Sequence, residues 1–143
     1  MAIKNIVVAF DESDGAHRAL QIATDIAISD PDMSIDLAYV VPVPLLDNAQ
    51  QMNFKEILDM MTAEGEEIVA EAVANMDPAL EGRVSALILK GVNPATELIK
   101  LVEQGDYELR VIGSLGLGGI KEYMGSVSHK VLHGVNIPVL VAK

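Results

Sequence analysis

Residues 3–28, "IKNIVVAFDESDGAHRALQIATDIAI", hold an apolar run that stops at Asp11, then a segment in which Ala16, Leu20, Ala23 and Ala27 recur at helical spacing. The first part reads as a strand and the second as an amphipathic helix. Ser13 is a fair N-cap, because its side-chain oxygen can accept from an N–H that the first helical turn leaves unpaired. A strand passing directly into a helix is half of a βαβ unit. The fold is therefore decided by whether the rest of the chain repeats it.

It does. After a turn at Ser29, Asp30, Pro31 and Asp32, "SIDLAYVVPVP" reads as a second strand, ended by Pro42 and Pro44 because proline has no ladder donor. "LLDNAQQM", residues 45–52, shows no clear period and is expected to be a loop near any site. Phe54, Ile57, Leu58, Met61, Ile68, Ala72 and Met76 then mark a long amphipathic helix. Gly65 falls in its middle and weakens it by about 1 kcal/mol relative to alanine.

"DPALEGR" leads into a third strand, "VSALILK". In "GVNP", Asn93 can cap a third helix with Pro94 at its first position, and Leu98, Ile99 and Val102 supply the buried stripe. "ELRVIG" is a fourth strand, 126–134 a fourth helix, and "IPVLVAK" a terminal strand beginning after Pro138. No linker, repeat or low-complexity tract interrupts the alternation. The expected architecture is α/β: one three-layer domain over residues 1–143, with an open, doubly wound, mainly parallel sheet and helices on both faces.

Composition agrees. A chain of 143 residues can bury about two thirds of its unfolded surface in one core. Half of it is hydrophobic but only 3% aromatic, so the core must be Val, Ile, Leu, Ala and Met, which suits a sheet covered on both faces. Ten basic against 21 acidic residues give a formal charge of -11, which repels nucleic acid and anionic lipid. The same field disfavours free nucleotide, so a phosphate site would need local backbone N–H donors or a metal ion. Without cysteine there is no disulfide, thiolate chemistry or Cys-based zinc site. No segment resembles a signal peptide or approaches the roughly 20 apolar residues that span a bilayer, so a cytoplasmic protein is expected.

Ligands of such a sheet collect beyond the C-terminal ends of its strands, where strand order reverses. Asp11, Tyr39 to Val41, and Gly113 onward all fall at strand ends. The last is the densest signal: "VIGSLGLGGIKEYMGSVSHKVL", residues 111–132, holds five glycines and three serines before a helix start. Backbone N–H groups of Ser126, Val127 and Ser128 could face a phosphate from the positive end of that helix. Equally, the glycines could shape a crossover and Ser126 only cap the helix. The span is neither a Walker A loop nor a dinucleotide fingerprint, since it lacks both spacings. Lys121 and Lys130 could approach phosphates or simply be solvated.

The opening "IVVAFDES", the strand end "AYVVP", the helix start "GVNPATEL" and "IGSLGLGG…MGSVSHKVL…IPVLV" together resemble the universal stress protein family over nearly the whole chain. The resemblance implies a flavodoxin-like five-stranded sheet, a homodimer, and ATP bound with the glycine loop around its phosphates. It places Gly113, Gly116, Gly125 and Ser126 at the phosphates, with Val127 and Ser128 just beyond. Asp11 takes the ribose-proximal acidic position, and Ala9 and Val40 the positions framing adenine. Two departures accompany the match. Eight residues, Leu117 to Met124, separate Gly116 from Gly125, one fewer than the family pattern. Leu115 stands where a long polar or basic residue is frequent and cannot donate to phosphate.

Chemistry beyond binding finds less support. Phosphoryl transfer needs groups that stabilise developing charge and position the attacking atom. Asp11 and Glu12 could hold a cation such as Mg2+, but adjacent acids do not by themselves converge, and they read first as solvated strand-to-helix carboxylates. His129 and His133 can share a helix face without a third ligand in view, and no catalytic residue is assigned. Arg110, inside "LRVI", reads as a structural residue near a sheet edge. The leading expectation is an ATP-binding stress-response or signalling module that couples nucleotide occupancy to association with an unidentified protein partner. The alternatives are an ATP-independent dimeric interaction protein and a slow ATP hydrolase. A phosphoacceptor receiver fits poorly, because its acidic strand end would fall where this chain reads "SALILKG". "IPVLVAK", opened by Pro138, is suited to a sheet edge where a homodimer could pair.

Overall fold

The computed structural model describes residues 4–43, 48–105, 107, 109–113, 130 and 133–142. Strands β1 (Asn5–Ala9), β2 (Ser34–Pro42), β3 (Val84–Gly91), β4 (Leu109–Gly113) and β5 (Val139–Ala142) alternate with helices α1 (Asp14–Ile28), α2 (Asn48–Ala74) and α3 (Pro94–Gln104). A short 3-10 turn, Pro78–Leu80, precedes β3. The strands form one sheet in the order β3-β2-β1-β4-β5, and every paired neighbour is parallel. This is the doubly wound α/β architecture expected from the alternation, with the flavodoxin-like five-stranded sheet that the resemblance implied. Strand order reverses at β1, which has β2 on one side and β4 on the other.

The strands β1 and β2 are buried on two faces, and each face has its own core. On one, Ile6 and Val8 of β1, Phe10 just beyond it and Ile35 and Leu37 of β2 meet Ala16, Ala19, Leu20, Ala23 and Ala27 of α1 and Val69 of α2. On the other, Val7 and Ala38 meet Ala95, Leu98 and Val102 of α3, with Val135 and Ile137 packed beside them. The period-2 alternation of side chains thus sorts consecutive residues between two helical layers. Small alanines along α1 let that helix lie close over β1, β4 and β5.

The helix starts follow local chemistry. Ser13 caps α1 by accepting from the Ala16 N–H at 3.1 Å. Asn93 caps α3 by accepting from Ala95 at 3.0 Å and Thr96 at 3.3 Å, with Pro94 next in line. The stripe of α3 lands as expected, with Leu98 and Val102 buried.

α2 departs from expectation twice. The backbone is already helical at Asn48, so residues 48–52 belong to the helix rather than to a loop. The expected apolar stripe is also not buried along its whole length: Ile57 is 51% exposed, and among the described residues of the helix full burial is reached at Gly65 and Val69.

Gly65 has a packing reason that its helix propensity hides. A Cβ there would stand 2.9 Å from Cε1 and 3.0 Å from Cδ1 of Tyr39, so the glycine is the notch in α2 that receives the Tyr39 ring. Arg110 is one strand in from the β5 edge, in register with Val7 and Val139. The expected fourth helix, 126–134, is described only at Lys130, His133 and Gly134, where the backbone is helical. Among the described residues, no helix is long and apolar enough to cross a membrane.

Candidate functional site

The ladder between β1 and β4 ends at Val8 opposite Val111. Beyond that rung the chain runs through Ala9 and Phe10 to Asp11 on one strand, and through Ile112 to Gly113 on the other. On the other side, the Phe10 N–H carries the β1–β2 pairing one step further by donating to the Ala38 carbonyl at 2.8 Å. The reversal of strand order therefore opens at the C-terminal ends of β1 and β4, where open α/β sheets bind their ligands.

Ala9 and Val40, from neighbouring strands, are both half-buried and both pack against the α3-side core. They bring a small and a branched apolar side chain to one face of the sheet near its C-terminal rim. Asp11 lies two residues beyond Ala9 and is half-buried. Its Oδ1 accepts from the Ser13 N–H at 3.1 Å and from the Ser13 hydroxyl at 2.5 Å. Glu12, between them, is exposed and takes a left-handed backbone with φ 67°. A non-glycine residue in that region is uncommon, and here it folds the turn so that Ser13 comes back to Asp11. Gly113 ends β4, paired with Ala142. Gly116, Gly125, Ser126, Val127 and Ser128 lie outside the described residues.

Sequence reasoning singled out Tyr39 only as part of a strand end, but it stands at the acidic side of this rim. Burial pushes its phenol above the ordinary value of 10.0, and the charges of Glu12, Glu64 and Asp11 add to the shift in that order. Since Tyr39 points to the α1–α2 face and Val40 to the α3 face, the two sides of the rim differ: one is ringed by carboxylates, the other is lined by small apolar groups. The exposed His17 ring meets Phe10 edge-on, with centroids 5.0 Å apart at 88°, which accounts for it as a packing residue. Among the described residues, no group of three or more His, Asp or Glu side chains is placed to hold a metal ion.

Such a rim suits a ligand with a flat apolar part and adjoining hydroxyls, the first against Ala9 and Val40 and the second within reach of a carboxylate. The model of the Universal stress protein family matches residues 2–143. A universal stress protein from Thermus aquaticus is 32% identical over 143 residues, covering 98% of both chains. Universal stress protein MJ0531 of Methanocaldococcus jannaschii is 30% identical over 142 residues, covering 98% of this chain and 82% of its own. In structure, UspA from Lactobacillus plantarum superposes with a TM-score of 0.86 at 23% identity, over 100% of this chain and 99% of its own.

Two further neighbours of this fold were solved with nucleotides. One, from Archaeoglobus fulgidus, is in complex with dAMP, with a TM-score of 0.59 and 22% identity over 100% of both chains. The other, from Arabidopsis thaliana, has AMP bound, with a TM-score of 0.65 and 16% identity over 98% of this chain and 91% of its own.

Proposed function

The chain belongs to the universal stress protein family, and from that premise we propose that it is an adenine-nucleotide-binding module of the cytoplasm, one domain over residues 1–143, whose occupied form associates with a protein partner. The observation that carries this reading is the meeting of Ala9, Asp11, Val40 and Gly113 at the C-terminal rim where strand order reverses. The AMP and dAMP complexes of the two structural neighbours support an adenosine-sized ligand.

In this reading Ala9 and Val40 frame the adenine and Asp11 accepts from the ribose hydroxyls. The phosphates fall to the backbone N–H groups of Gly113, Gly116, Gly125, Ser126, Val127 and Ser128. The N-termini of α1 and α3 are unsuited to phosphate. Each is capped by its own side chain, Ser13 or Asn93, and each carries acids: Asp11, Glu12 and Asp14 at α1, Glu97 at α3. With a chain charge of -11, the ligand is ATP accompanied by Mg2+, which lowers the charge brought into the site. β5 is an edge strand of the sheet, and we assign it to pairing with a second copy across a two-fold axis.

The shortened spacing between Gly116 and Gly125, with Leu115 inside the loop, favours a second reading: an interaction protein of the same fold that needs no nucleotide. Equilibrium dialysis with Mg2+ and ATP separates the two. Saturable binding in the millimolar range, with a dimer mass by light scattering, is the expected result. An intact, folded chain that shows no saturable binding would leave the nucleotide-free interaction protein.

A further inference from the structure

We infer that Ser13 is a positioning residue for the ligand carboxylate, so that one hydroxyl serves both as the cap of α1 and as the holder of Asp11. This rests on the reading that the rim binds a nucleotide, and it adds how the sugar is selected. Ser13 is 8% exposed and too deep to be a general solvent-facing cap. Its hydroxyl accepts from the Ala16 N–H at 3.1 Å and donates to Asp11 Oδ1 at 2.5 Å, while its own N–H donates to the same oxygen at 3.1 Å.

Both bonds end on Oδ1. A carboxylate gripped twice through one oxygen is confined to one rotamer, and its remaining acceptor capacity is concentrated on Oδ2. The grip is not a matter of the side chain alone, since the left-handed backbone at Glu12 is what returns Ser13 to Asp11. Ribose hydroxyls would then meet an acceptor already fixed by the fold, and binding would not have to order it. The ligand class this selects is a nucleoside phosphate with sugar hydroxyls; an analogue without them leaves the held carboxylate unsatisfied. α1, whose first turn hangs from the same hydroxyl, is thereby tied to the sugar end of the site.

Capping and positioning can be separated because they need opposite things of residue 13. An N-cap must accept a hydrogen bond, whereas a holder of Asp11 must donate one. Ser13→Thr keeps both abilities. Ser13→Gly, a residue that helix starts accept almost as readily as serine, keeps the helix start but has no side-chain donor for Asp11. The readout is the ratio of affinities for ATP and for 2′,3′-dideoxy-ATP, in which effects common to the phosphates and adenine cancel.

Wild type and Ser13→Thr should prefer ATP by about tenfold, the effect of one hydrogen bond to a charged group, and Ser13→Gly should bring the ratio near one while remaining folded by circular dichroism. In the free protein, three-bond couplings to the Asp11 side chain should report one rotamer in wild type and averaging in Ser13→Gly. A folded Ser13→Gly with the wild-type ratio and a single Asp11 rotamer would make Ser13 a cap alone and overturn the inference, leaving nucleotide binding in place. Equal affinity of the wild type for both ligands would also overturn it. A wild type that binds neither would remove the nucleotide reading itself.

Discussion

The two ends of the sheet handle charge in opposite ways. Where β2 and β3 begin, Arg83 is turned onto the main chain: Nη1 donates to the carbonyls of Ala27, Asp30 and Met33, and Nη2 to that of Ala79. One guanidinium thus closes the C-terminal end of α1, the turn leading to β2 and the 3-10 turn before β3. Where β1 and β2 finish, the charged groups are the carboxylates of Asp11, Glu12 and Glu64 around the Tyr39 phenol, and of these only Asp11 is engaged by its own neighbour. The first end is satisfied internally and serves stability. The second keeps polar capacity near the reversal of strand order.

The strongest way to break this contrast is Arg83→Ala. Removing the guanidinium leaves three partly buried carbonyls and one exposed carbonyl to find other donors, and the expected loss of stability is about 2–3 kcal/mol by denaturant unfolding. If the ends are independent, affinity for Mg-ATP should stay at the wild-type value. A variant of unchanged midpoint would show that water replaces Arg83 without cost.

A smaller effect is expected at the Tyr39 notch. Gly65→Ala gains helix propensity of about 1 kcal/mol but must push the Tyr39 ring away, and the net result should be a destabilisation of about 1 kcal/mol. Adding Tyr39→Leu should return the propensity gain, which a double-mutant cycle measures. Stabilisation by Gly65→Ala alone would mean that the ring yields freely.

The smallest effect sharpens the acidic side of the comparison. Tyr39 has its folded-state pKa raised, first by burial and then by Glu12, Glu64 and Asp11. The neutral phenol therefore favours the folded state, and this contribution is whole below the ordinary value of about 10 and is lost as pH climbs from there through the folded value. Glu64→Gln should move the phenolate absorbance transition of Tyr39 to lower pH and narrow that window. A transition that stays put would assign the whole shift to burial and Asp11 with Glu12.

Much of the fold could be read from the chain because it is written in local bonds and local periods. Ser13, Asn93 and Pro94 mark helix starts through partners three residues away or nearer, and the alternation of strand and helix fixes the layers. What escaped notice depends on partners far along the chain. Gly65 reads as a weak point until Tyr39 is beside it. Asp36 gives no sign that the Tyr107 hydroxyl, 71 residues later, donates to it at 2.5 Å. Arg83 sat in a connecting segment, although one signal could have found it: α1 has no basic residue in its last turn, so its final carbonyls wait for a donor from elsewhere.

The start of α2 escaped for a different reason. Asn48, Gln50 and Gln51 carry no apolar period in the sequence, so nothing there separates a helical turn from a loop. At the candidate site, the sequence alone put Asp11 and Gly113 at strand ends, where the structure has them, while Ala9 and Val40 were named as site residues only by the resemblance. Ser13 was legible only as a cap; its second bond, back to Asp11, depends on the backbone at Glu12, which no residue type announces.

The place of β1 in the middle of the sheet also orders events on the ribosome. Its partner β2 is complete once Pro42 has been made, and β3 adds to the far side of β2, so the first three strands can assemble as a continuous βαβαβ unit while synthesis proceeds. The other edge of β1 must wait for Leu109, the first residue of β4. For most of the chain's synthesis, the strand that will become the centre of the protein is an unpaired border, and that is the interval in which a nascent neighbour could capture it.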